Sequence, residues 1–441
     1  MSEIARSHGA PRVLARAEHQ VSRSSISANA LKVLYRLHHA GFLAYLVGGA
    51  VRDLQLGRRP KDFDVATNAR PQQVRQLFRN ARVIGRRFRL VMVRFSDEIV
   101  EVATFRRSAE PPELADNEPS DVLAPAAEAD EFGTPEEDAF RRDFTVNALF
   151  YDIADFSVID YIGGLADLHA GVIRTIGLAT VRFAEDPVRM MRAVEYGARL
   201  GFQLDPEAAA AIGSMHAEIR RASPARISYE LLESLRGGQA RPILHGLHEA
   251  GLLAHIVPEA TAAEDLHGLV WRLLAAADSA AGRGERLTEE SLLALLFLPG
   301  FLAAIQTGSA SAANAGDVEQ TIRELVDPAA LRLAFSHYRT HLIRTAFLFL
   351  WRFLNPPRSA KFVIRTVKHE AFPVAWQLAR LLASEIAELG ARMQPWAQAV
   401  GKVQAGLAPE VGPRHAGEQG SVKRRRRRGG ARRRRKGAPA A

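Results

Sequence analysis

Two aspartates separated by a single residue, Asp62 and Asp64, are the side chains of this sequence best suited to chemistry. They fall on residues 63–66 and their flank, where the residue types predict a β-strand. Because side chains alternate between the faces of a strand, both carboxylates would project from one face, with Cβ atoms about 6.5–7 Å apart. Such a face could hold two divalent cations about 3.5–4 Å apart, the arrangement used for phosphoryl and nucleotidyl transfer.

A glycine pair lies shortly before the aspartates. Gly48 and Gly49 follow a predicted strand at 43–47 and precede a predicted short helix at 50–56. Backbone N–H groups of such a turn, together with the helix N-terminus, can bind phosphate. Arg52, one turn into the helix, could add positive charge to the same phosphates. The pattern therefore predicts a triphosphate site beside the aspartates.

Each of these features is weak when it is taken alone. An isolated Asp-x-Asp is usually a turn or a solvated strand edge, and an isolated Gly-Gly is usually only a turn. The conjunction of strand, Gly-Gly, helix, short spacer and strand Asp-x-Asp is much more specific. It resembles the nucleotidyltransferase superfamily that includes DNA polymerase β, whose motif is Gly-Gly or Gly-Ser followed by the carboxylate pair.

Three later segments resemble bacterial poly(A) polymerases and class II CCA-adding tRNA nucleotidyltransferases. Residues 141–148 read Arg-Arg-Asp-Phe-Thr-Val-Asn-Ala, similar to an Arg-Arg-Asp-[Phe/Leu]-Thr-Ile-Asn segment of those enzymes. Residues 160–168 resemble the Asp-…-Gly-Gly-…-Asp-Leu stretch that follows it. Residues 182–192 resemble the nucleotide-selecting helix, with its pattern Glu-Asp-Pro-x-Arg-x-x-Arg. The similarity is dense from about residue 43 to 205 and thinner up to about 400.

The resemblance implies an active site built on carboxylates. Asp62 and Asp64 would hold the metals, two Mg²⁺ ions, and the family counts the aspartate matching Asp143 with its active site. Glu101, on a predicted strand, is the other candidate for the remaining metal-site carboxylate. The sequence does not rank Glu101 against Asp143, and an exposed strand glutamate is the alternative interpretation of Glu101.

The resemblance also implies contacts with the nucleotide, with ATP as the substrate. Asp186 and Arg189 match the pair that reads base edges, an acceptor and a forked donor suited to discrimination by hydrogen bonds. A charged helix face is the alternative for Arg189 and Arg192. The implied nucleotide-binding residues are Gly48, Gly49, Arg52, Arg142, Asp186, Arg189 and Arg192.

Several features favour a poly(A) polymerase over a CCA-adding enzyme, although both share these motifs. Residues 83–90 resemble the poly(A) polymerase version of a segment where CCA-adding enzymes typically have a His/Gly-rich turn. The strand at 100–106 with its long polar insertion, and an arginine-rich tail, also resemble poly(A) polymerases. The expected reaction is template-independent transfer of AMP from ATP to an RNA 3′-hydroxyl, with release of pyrophosphate. A CCA-adding tRNA nucleotidyltransferase is the alternative, and a catalytically silent RNA-binding protein is a remote one.

Charge is unevenly distributed along the 441 residues, whose net charge is +10. Residues 421–441 hold eleven Lys and Arg and no acid, whereas 108–138 hold eleven Asp and Glu and no Lys or Arg. Like charges repel within such blocks, so both are expected to be disordered. A basic tail usually binds nucleic acid, with a solubilising tail as the alternative. The expected RNA-binding residues are Lys423, Arg424, Arg425, Arg426, Arg427, Arg428, Arg432, Arg433, Arg434, Arg435 and Lys436.

Composition excludes several classes of protein. The chain has no cysteine, which rules out disulfides, thiolate catalysis, zinc ribbons and iron–sulfur clusters and favours a reducing, cytoplasmic location. The first 25 residues contain no apolar stretch typical of a signal peptide. The longest apolar run, at 291–305, is broken by Pro-Gly and is shorter than the roughly 20 residues that span a bilayer. No membrane span is expected.

The elements that must position these residues predict an α+β fold. Short helices and strands alternate from residue 26 to about 105, and helical patterns dominate beyond residue 182. We expect a polymerase-β-like nucleotidyltransferase head, a small mixed sheet with helices, followed by an all-α neck and body. The expected divisions are a disordered leader at 1–25, the catalytic head at 26–170 with the acidic insertion at 108–138, a nucleotide- and RNA-binding neck at 171–240, the body at 241–400, and a disordered Arg-rich tail at 401–441. Long helices are predicted at 187–200, 206–220, 228–235, 330–354 and 372–389.

Overall fold

The computed structural model describes residues 10–85, 90–107, 132–261, 268–307, 315–355 and 359–406. The basic residues at 423–436 and the acidic insertion up to residue 131 lie outside these ranges, so the predictions made for them stay predictions. The described part has strands concentrated before residue 174 and helices after residue 179. The α+β prediction, with a polymerase-β-like head, is confirmed, and the described remainder is helical apart from one pair of two-residue strands.

A mixed sheet forms the centre of the head. Its strands are β1 (Arg12–Leu14), β2 (Ala44–Val47), β3 (Asp64–Thr67), β4 (Ala81–Ile84), β5 (Leu90–Arg94), β6 (Ile99–Thr104), β7 (Leu149–Asp152) and β8 (Val158–Asp160). Across the described residues their order is β1-β8-β7-β2-β3-β6-β5-β4, with β3 and β6 parallel and the other pairs antiparallel. Two short parallel strands, β9 (Val172–Ile173) and β10 (Gln203–Leu204), pair separately.

The register of the central strands brings residues that could do chemistry to the same end of neighbouring strands. Val47, the last residue of β2, pairs with Asp64, the first residue of β3. Val65 pairs with Val102, so Glu101 on β6 lies beside Asp64. The glycine turn, Asp64 and Glu101 therefore follow one another across three adjacent strands.

The helices of the head cover this sheet. They are α1 (Ala28–His39), α2 (Gly49–Gln55), α3 (Pro71–Leu77), α4 (Pro135–Phe140) and α5 (Gly164–Ala170). In α1, the side chain of Ser27 accepts a hydrogen bond from the Ala30 N–H and so caps the helix. Its buried residues Ala30, Val33, Leu34 and Leu37 recur at helical spacing and form one face of the core.

Helices make up the neck and the body. They are α6 (Ala179–Glu185), α7 (Val188–Leu200), α8 (Pro206–Met215), α9 (Pro224–Arg236), α10 (Ala240–Glu249), α11 (Leu253–Ile256), α12 (Leu269–Gly282), α13 (Glu289–Leu295), α14 (Leu298–Thr307), α15 (Ala315–Arg332), α16 (His337–Leu354), α17 (Ala360–Val367), α18 (Phe372–Leu382) and α19 (Ala387–Gln404). One cluster of buried apolar side chains extends from the head through α7 and α9 to α19. In the ranges that the structure describes, no helix combines the length and apolarity needed to cross a membrane.

The prediction of a disordered leader is wrong for residues 10–25. β1 pairs with β8 at the edge of the sheet, and Val21 is completely buried. Nε2 of His19 lies 2.8 Å from the carbonyl oxygen of Phe156. A three-residue edge strand is held by backbone hydrogen bonds and is too short to give a periodic pattern in the sequence.

The acidic insertion is ordered at its end, where disorder was predicted. The Thr134 side chain accepts a hydrogen bond from the Glu137 N–H, and the Glu137 carboxylate accepts one from the Thr134 N–H, so α4 begins with a capping box. Asp138 is buried and paired with Arg141 and Arg142. Helix capping and arginine partners thus compensate the negative charge of this segment.

Two predicted long helices are each interrupted by a turn in the structure. The predicted helix at 330–354 is divided into α15 and α16, with Ala334 at φ = +50° between them. The predicted helix at 372–389 ends at Leu382, and α19 continues to Gln404, past the expected start of the tail. Neither turn contains the glycine or proline that usually marks a helix end in sequence.

Candidate active site

A polar cleft of about 840 Å³ lies between the ends of the central strands and helices α7 and α9. All the catalytic and nucleotide-contacting residues predicted within the described chain line it. They are Gly48, Gly49, Arg52, Asp62, Asp64, Glu101, Arg142, Asp143, Asp186, Arg189 and Arg192. Residues separated by up to 144 positions in the sequence therefore surround one cavity.

The glycine turn leaves little room for a side chain at Gly48. Gly48 has φ = +69°, a conformation that favours glycine. A Cβ atom there would lie 3.1 Å from Nη1 of Arg142, and one at Gly49 would lie 3.4 Å from Nη2 of Arg52. The turn therefore lets two guanidinium groups and the backbone approach one point of the cleft.

Arg52 is already engaged with protein partners. Its side chain is only 2% exposed and pairs with Asp53 at 2.7 Å. Its Nη1 donates to Oδ1 of Asn147 at 2.6 Å, and the guanidinium lies 5.2 Å from the centre of the Tyr196 ring. Arg52 thus packs against the glycine turn and is bonded to protein groups, whereas the sequence analysis predicted that its guanidinium binds phosphate.

Arg142 lies next to the glycine turn with part of its hydrogen-bonding capacity unused. Its Nη2 donates to Asp138 at 2.9 Å and its Nη1 to the Asn147 carbonyl oxygen at 3.3 Å. Its Nε is buried and has no hydrogen-bond partner. Because the Arg142 guanidinium also lines the cleft, its positive charge favours an anion at this position.

Asp62, Asp64 and Glu101 form a group of mutually repelling carboxylates. Asp62 precedes β3 by two residues, a correction to the prediction that it lies on the strand, and the intervening Phe63 is buried. Enclosure by the cleft, followed by the charges of Glu101 and Asp62, raises the pKa of Asp64 to about 6. Enclosure and the charge of Asp62 also raise the pKa of Glu101. Such a group is stabilised by a bound cation.

Magnesium fits this donor set. In the parts of the chain that the structure describes, no three His, Asp or Glu side chains converge to form a metal site by themselves. Mg²⁺ typically takes one or two carboxylates from the protein and completes its octahedral shell with water and substrate phosphates. Asp62 and Asp64 would hold it in this way.

Asp143 does not belong to this carboxylate group. Its Oδ2 accepts from Nε of Arg192 at 2.8 Å and from Nη2 of the same residue at 2.7 Å, and its Oδ1 accepts from Phe144 and Asn147. Burial alone would raise the pKa of Asp143, but Arg192 and the Asn147 hydrogen bond hold it below its usual range. The geometry therefore favours Glu101 over Asp143 as the third carboxylate beside Asp62 and Asp64.

Asp186 and Arg189 both line the cleft, but their side chains have other partners. Asp186 accepts two hydrogen bonds from Arg226 of α9, at 2.7 and 2.8 Å. Nη1 of Arg189 donates to Glu185 at 2.9 Å and to the Arg182 carbonyl oxygen at 3.0 Å. The expected pair is thus one part of a larger arrangement in which Arg226 orients the acceptor. Arg226 lies 40 residues from Asp186, and no local motif pointed to it.

Tyr196 is a second residue that the sequence analysis missed. The guanidinium carbons of Arg52, Arg192 and Arg199 lie 5.0 to 5.2 Å from its ring centre. Its hydroxyl accepts from Nη2 of Arg192 at 2.7 Å, and burial raises its pKa to about 12. Tyr196 follows Arg192 by four residues on α7, so helical spacing was the available indication.

Comparison with known proteins covers the head, the neck and most of the body. Residues 44–174 match the family model described as the poly A polymerase head domain. Residues 201–264 match the model described as a probable RNA and SrmB-binding site of polymerase A. The poly(A) polymerase I of Salmonella typhi is 38% identical over 415 residues, covering 90% of this chain and 87% of that protein.

CCA-adding enzymes are similar over a shorter part of the sequence. The CCA-adding enzyme of Bacillus subtilis (strain 168) is 39% identical over 223 residues, covering 51% of this chain and 54% of that enzyme. The solved structure of the Bacillus stearothermophilus CCA-adding enzyme in complex with CTP superposes with a TM-score of 0.60 at 26% identity, covering 85% of this chain and 82% of that one. Because the similarity to poly(A) polymerase I extends over most of both proteins, this chain belongs to the poly(A) polymerase I family of nucleotidyltransferases.

Proposed function

We propose that this protein is a cytoplasmic enzyme that adds adenylates to RNA 3′ ends without a template. It transfers AMP from ATP to an RNA 3′-hydroxyl and releases pyrophosphate. The observation that carries the proposal is the group of Asp62, Asp64 and Glu101 beside the Gly48 turn. It stands in a chain whose similarity to poly(A) polymerase I covers 90% of its length, against about half for a CCA-adding enzyme.

The carboxylates and the glycine turn divide the work of binding the reactants. Asp62 and Asp64 would hold Mg²⁺, and the bound ion would supply a lower pKa for the attacking hydroxyl and positive charge for the departing pyrophosphate. The triphosphate binds at the turn of Gly48 and Gly49, beside the positively charged guanidinium of Arg142. Arg52 joins the helix after the turn to Asn147 through a hydrogen bond.

The base is selected by protein side chains, because no template strand is present. Asp186 offers carboxylate oxygens and Arg189 a forked donor, the two kinds of group that a base edge can pair with. Arg226 fixes the orientation of Asp186 through two hydrogen bonds. Arg192 acts on Asp143, and through it on the head, and contacts the nucleotide less directly than the sequence implied.

RNA is held largely by charge. Residues 423–436 bind the phosphate backbone of the RNA, and residues 201–264 add contacts nearer the cleft. Such binding is independent of sequence, which suits an enzyme whose product is itself a changing 3′ end.

The proposal is tested with the purified full chain, an unstructured RNA, Mg²⁺ and ATP labelled at the α-phosphate. Label should enter RNA while an equal amount of pyrophosphate is released, and the Asp64→Asn protein should do neither. RNA binding without incorporation would favour the silent RNA-binding alternative. The assay is repeated with EDTA, which should stop incorporation by removing the divalent cation.

A further inference from the structure

The order of the strands places the glycine turn and Glu101 on opposite sides of Asp64. The glycine turn follows β2, Asp64 begins β3, and Glu101 lies on β6, on the far side of β3 from the turn. In-line transfer requires the attacking and leaving oxygens to lie on opposite sides of the phosphorus. With the triphosphate at Gly48, the attacking 3′-hydroxyl must come from the side of Glu101.

Two apolar side chains flank Glu101 on that side of the cleft. Met92 pairs across the strands with Glu101, and Ile99 precedes Glu101 by two residues, so all three share one face of the sheet. All three line the cleft. Ile99 is 41% exposed, so it is available to a ligand in the cleft.

An exposed aromatic ring lies on the opposite wall. Tyr229 of α9 lines the same cleft and is 60% exposed. Four residues further along α9, Glu233 is bonded to Lys61, which precedes Asp62 and ties this part of α9 to the carboxylate loop. Burial, followed by the charge of Glu233, raises the pKa of the Tyr229 phenol, and Glu101 is among the smaller contributors. Tyr229 on α9 and Glu101 on β6 therefore line one cleft from different elements.

We propose that the terminal base of the RNA primer stacks on Tyr229 and packs against Ile99. This inference rests on the proposed function and assigns the binding position of its acceptor. Stacking holds the last ribose so that its 3′-hydroxyl lies near Asp62 and Glu101. Every base has an aromatic face, so the contact accepts any 3′ end, including the adenylate that each cycle leaves.

The test compares two primers that differ only in their terminal base. One ends in an ordinary nucleotide, and the other ends in an abasic ribose that keeps its 3′-hydroxyl. Stacking of one base on an aromatic side chain corresponds to a change of about 5- to 100-fold. The wild-type chain should use the abasic primer less efficiently by that factor in kcat/KM for RNA.

Substitutions at position 229 test whether Tyr229 is responsible for the preference for the ordinary primer. Tyr229→Ala should reduce kcat/KM for the ordinary primer by the same factor, leave the KM for ATP unchanged and abolish discrimination against the abasic primer. Tyr229→Phe should keep the discrimination because the ring, not the hydroxyl, makes the contact. Tyr338→Ala is the matched control, since Tyr338 is 59% exposed and does not line the cleft.

Two results would overturn the inference. One is a Tyr229→Ala protein that still discriminates between the primers as the wild type does. The other is a rise in the KM for ATP with unchanged primer discrimination, which would place Tyr229 against the incoming nucleotide. Fluorescence anisotropy with the same primers measures the preference without transfer. A chain that adds no adenylate but still prefers the ordinary primer through Tyr229 would contradict the proposed function and leave the stacking site standing.

Discussion

Arg192 of α7 joins the neck to the head through Asp143, with Nε and Nη2 at 2.8 and 2.7 Å from Oδ2. The same guanidinium donates to Glu230 of α9 at 3.3 Å and to the Tyr196 hydroxyl at 2.7 Å. Asp143 therefore fixes the position of the helices that form one wall of the cleft. We conclude that the Arg-Arg-Asp segment positions the helices of the cleft as much as it contacts the reactants.

Removing the Asp143 charge should destabilise the fold. Asp143→Asn leaves Arg192 without its closest counter-charge, and breaking one side of such a pair costs about 3 kcal/mol. The folded-state pKa of Asp143 is lowered, so its stabilising effect is present above the unfolded-state pKa of an aspartate and lost as the pH falls through the folded-state value. Denaturant unfolding at neutral and acidic pH should show a lower free energy and a weaker acid dependence for the variant. Unchanged stability would contradict this structural role.

Removing a charge from the carboxylates that we propose to bind the metal should have the opposite effect on stability. Asp64→Asn relieves the repulsion among Asp62, Asp64 and Glu101 in the metal-free protein, so the unfolding midpoint should stay the same or rise. Losing a metal ligand should slow AMP transfer by about 10³-fold or more. Glu101→Gln should show the same two directions. Unfolding curves and single-turnover incorporation, measured on the same preparations, check both expectations. A folded Asp64→Asn protein with substantial activity would refute the metal assignment.

The two hydrogen bonds that Arg226 donates to Asp186 should affect the selectivity for ATP over CTP. Arg226→Lys keeps the charge but loses the two-point contact, so Asp186 becomes free to rotate. We expect the ratio of kcat/KM for ATP to that for CTP to fall about tenfold, which corresponds to roughly 1.4 kcal/mol. Arg221→Lys is the control, because Arg221 is paired with Glu218 on the surface and does not line the cleft. Equal selectivity in the two variants would show that Arg226 does not orient the base-reading group.

The basic tail should determine the salt dependence of RNA binding. If about five of its eleven cations contact phosphates, the logarithm of the affinity should fall with the logarithm of salt concentration with a slope of about −3.5. A fourfold rise in salt then costs about 100-fold in affinity. A chain lacking residues 421–441 should lose most of this slope while keeping its rate at saturating RNA. If the slope does not change, the tail does not contact RNA, and the acidic insertion at 108–138 becomes its more plausible partner.

The composition of the active site could be read from the sequence, because its residues lie in short motifs. Asp62, Asp64 and the glycine turn were placed in one cavity by strand and helix patterns, and the structure has them at neighbouring strand ends. The position of Glu101 beside Asp64 depends on the parallel pairing of β3 with β6. These two strands are separated in the sequence by the β4–β5 hairpin, so local patterns do not reveal that they pair.

The partners of the arginines could not be read in the same way. Arg52 bonds Asn147, which lies 95 positions away, and Asp186 bonds Arg226, which lies 40 positions away. Such pairs depend on tertiary packing, which leaves no periodic trace in the local sequence. The same reasoning explains why β1 and the end of the acidic insertion were predicted to be disordered. Their order depends on contacts with β8 and with two arginines.

The measurement that tests the central claim most directly is extension of two primers with each nucleoside triphosphate supplied alone and then all four together. The primers are a short unstructured RNA and a tRNA that lacks its terminal CCA. The account predicts long runs of A on both, from ATP only, because a protein template built on Asp186 and Arg189 accepts one base and nothing stops the cycle. A product ending after two C and one A, made only on the tRNA, would contradict polyadenylation and identify a CCA-adding enzyme, although the catalytic carboxylates would keep their roles.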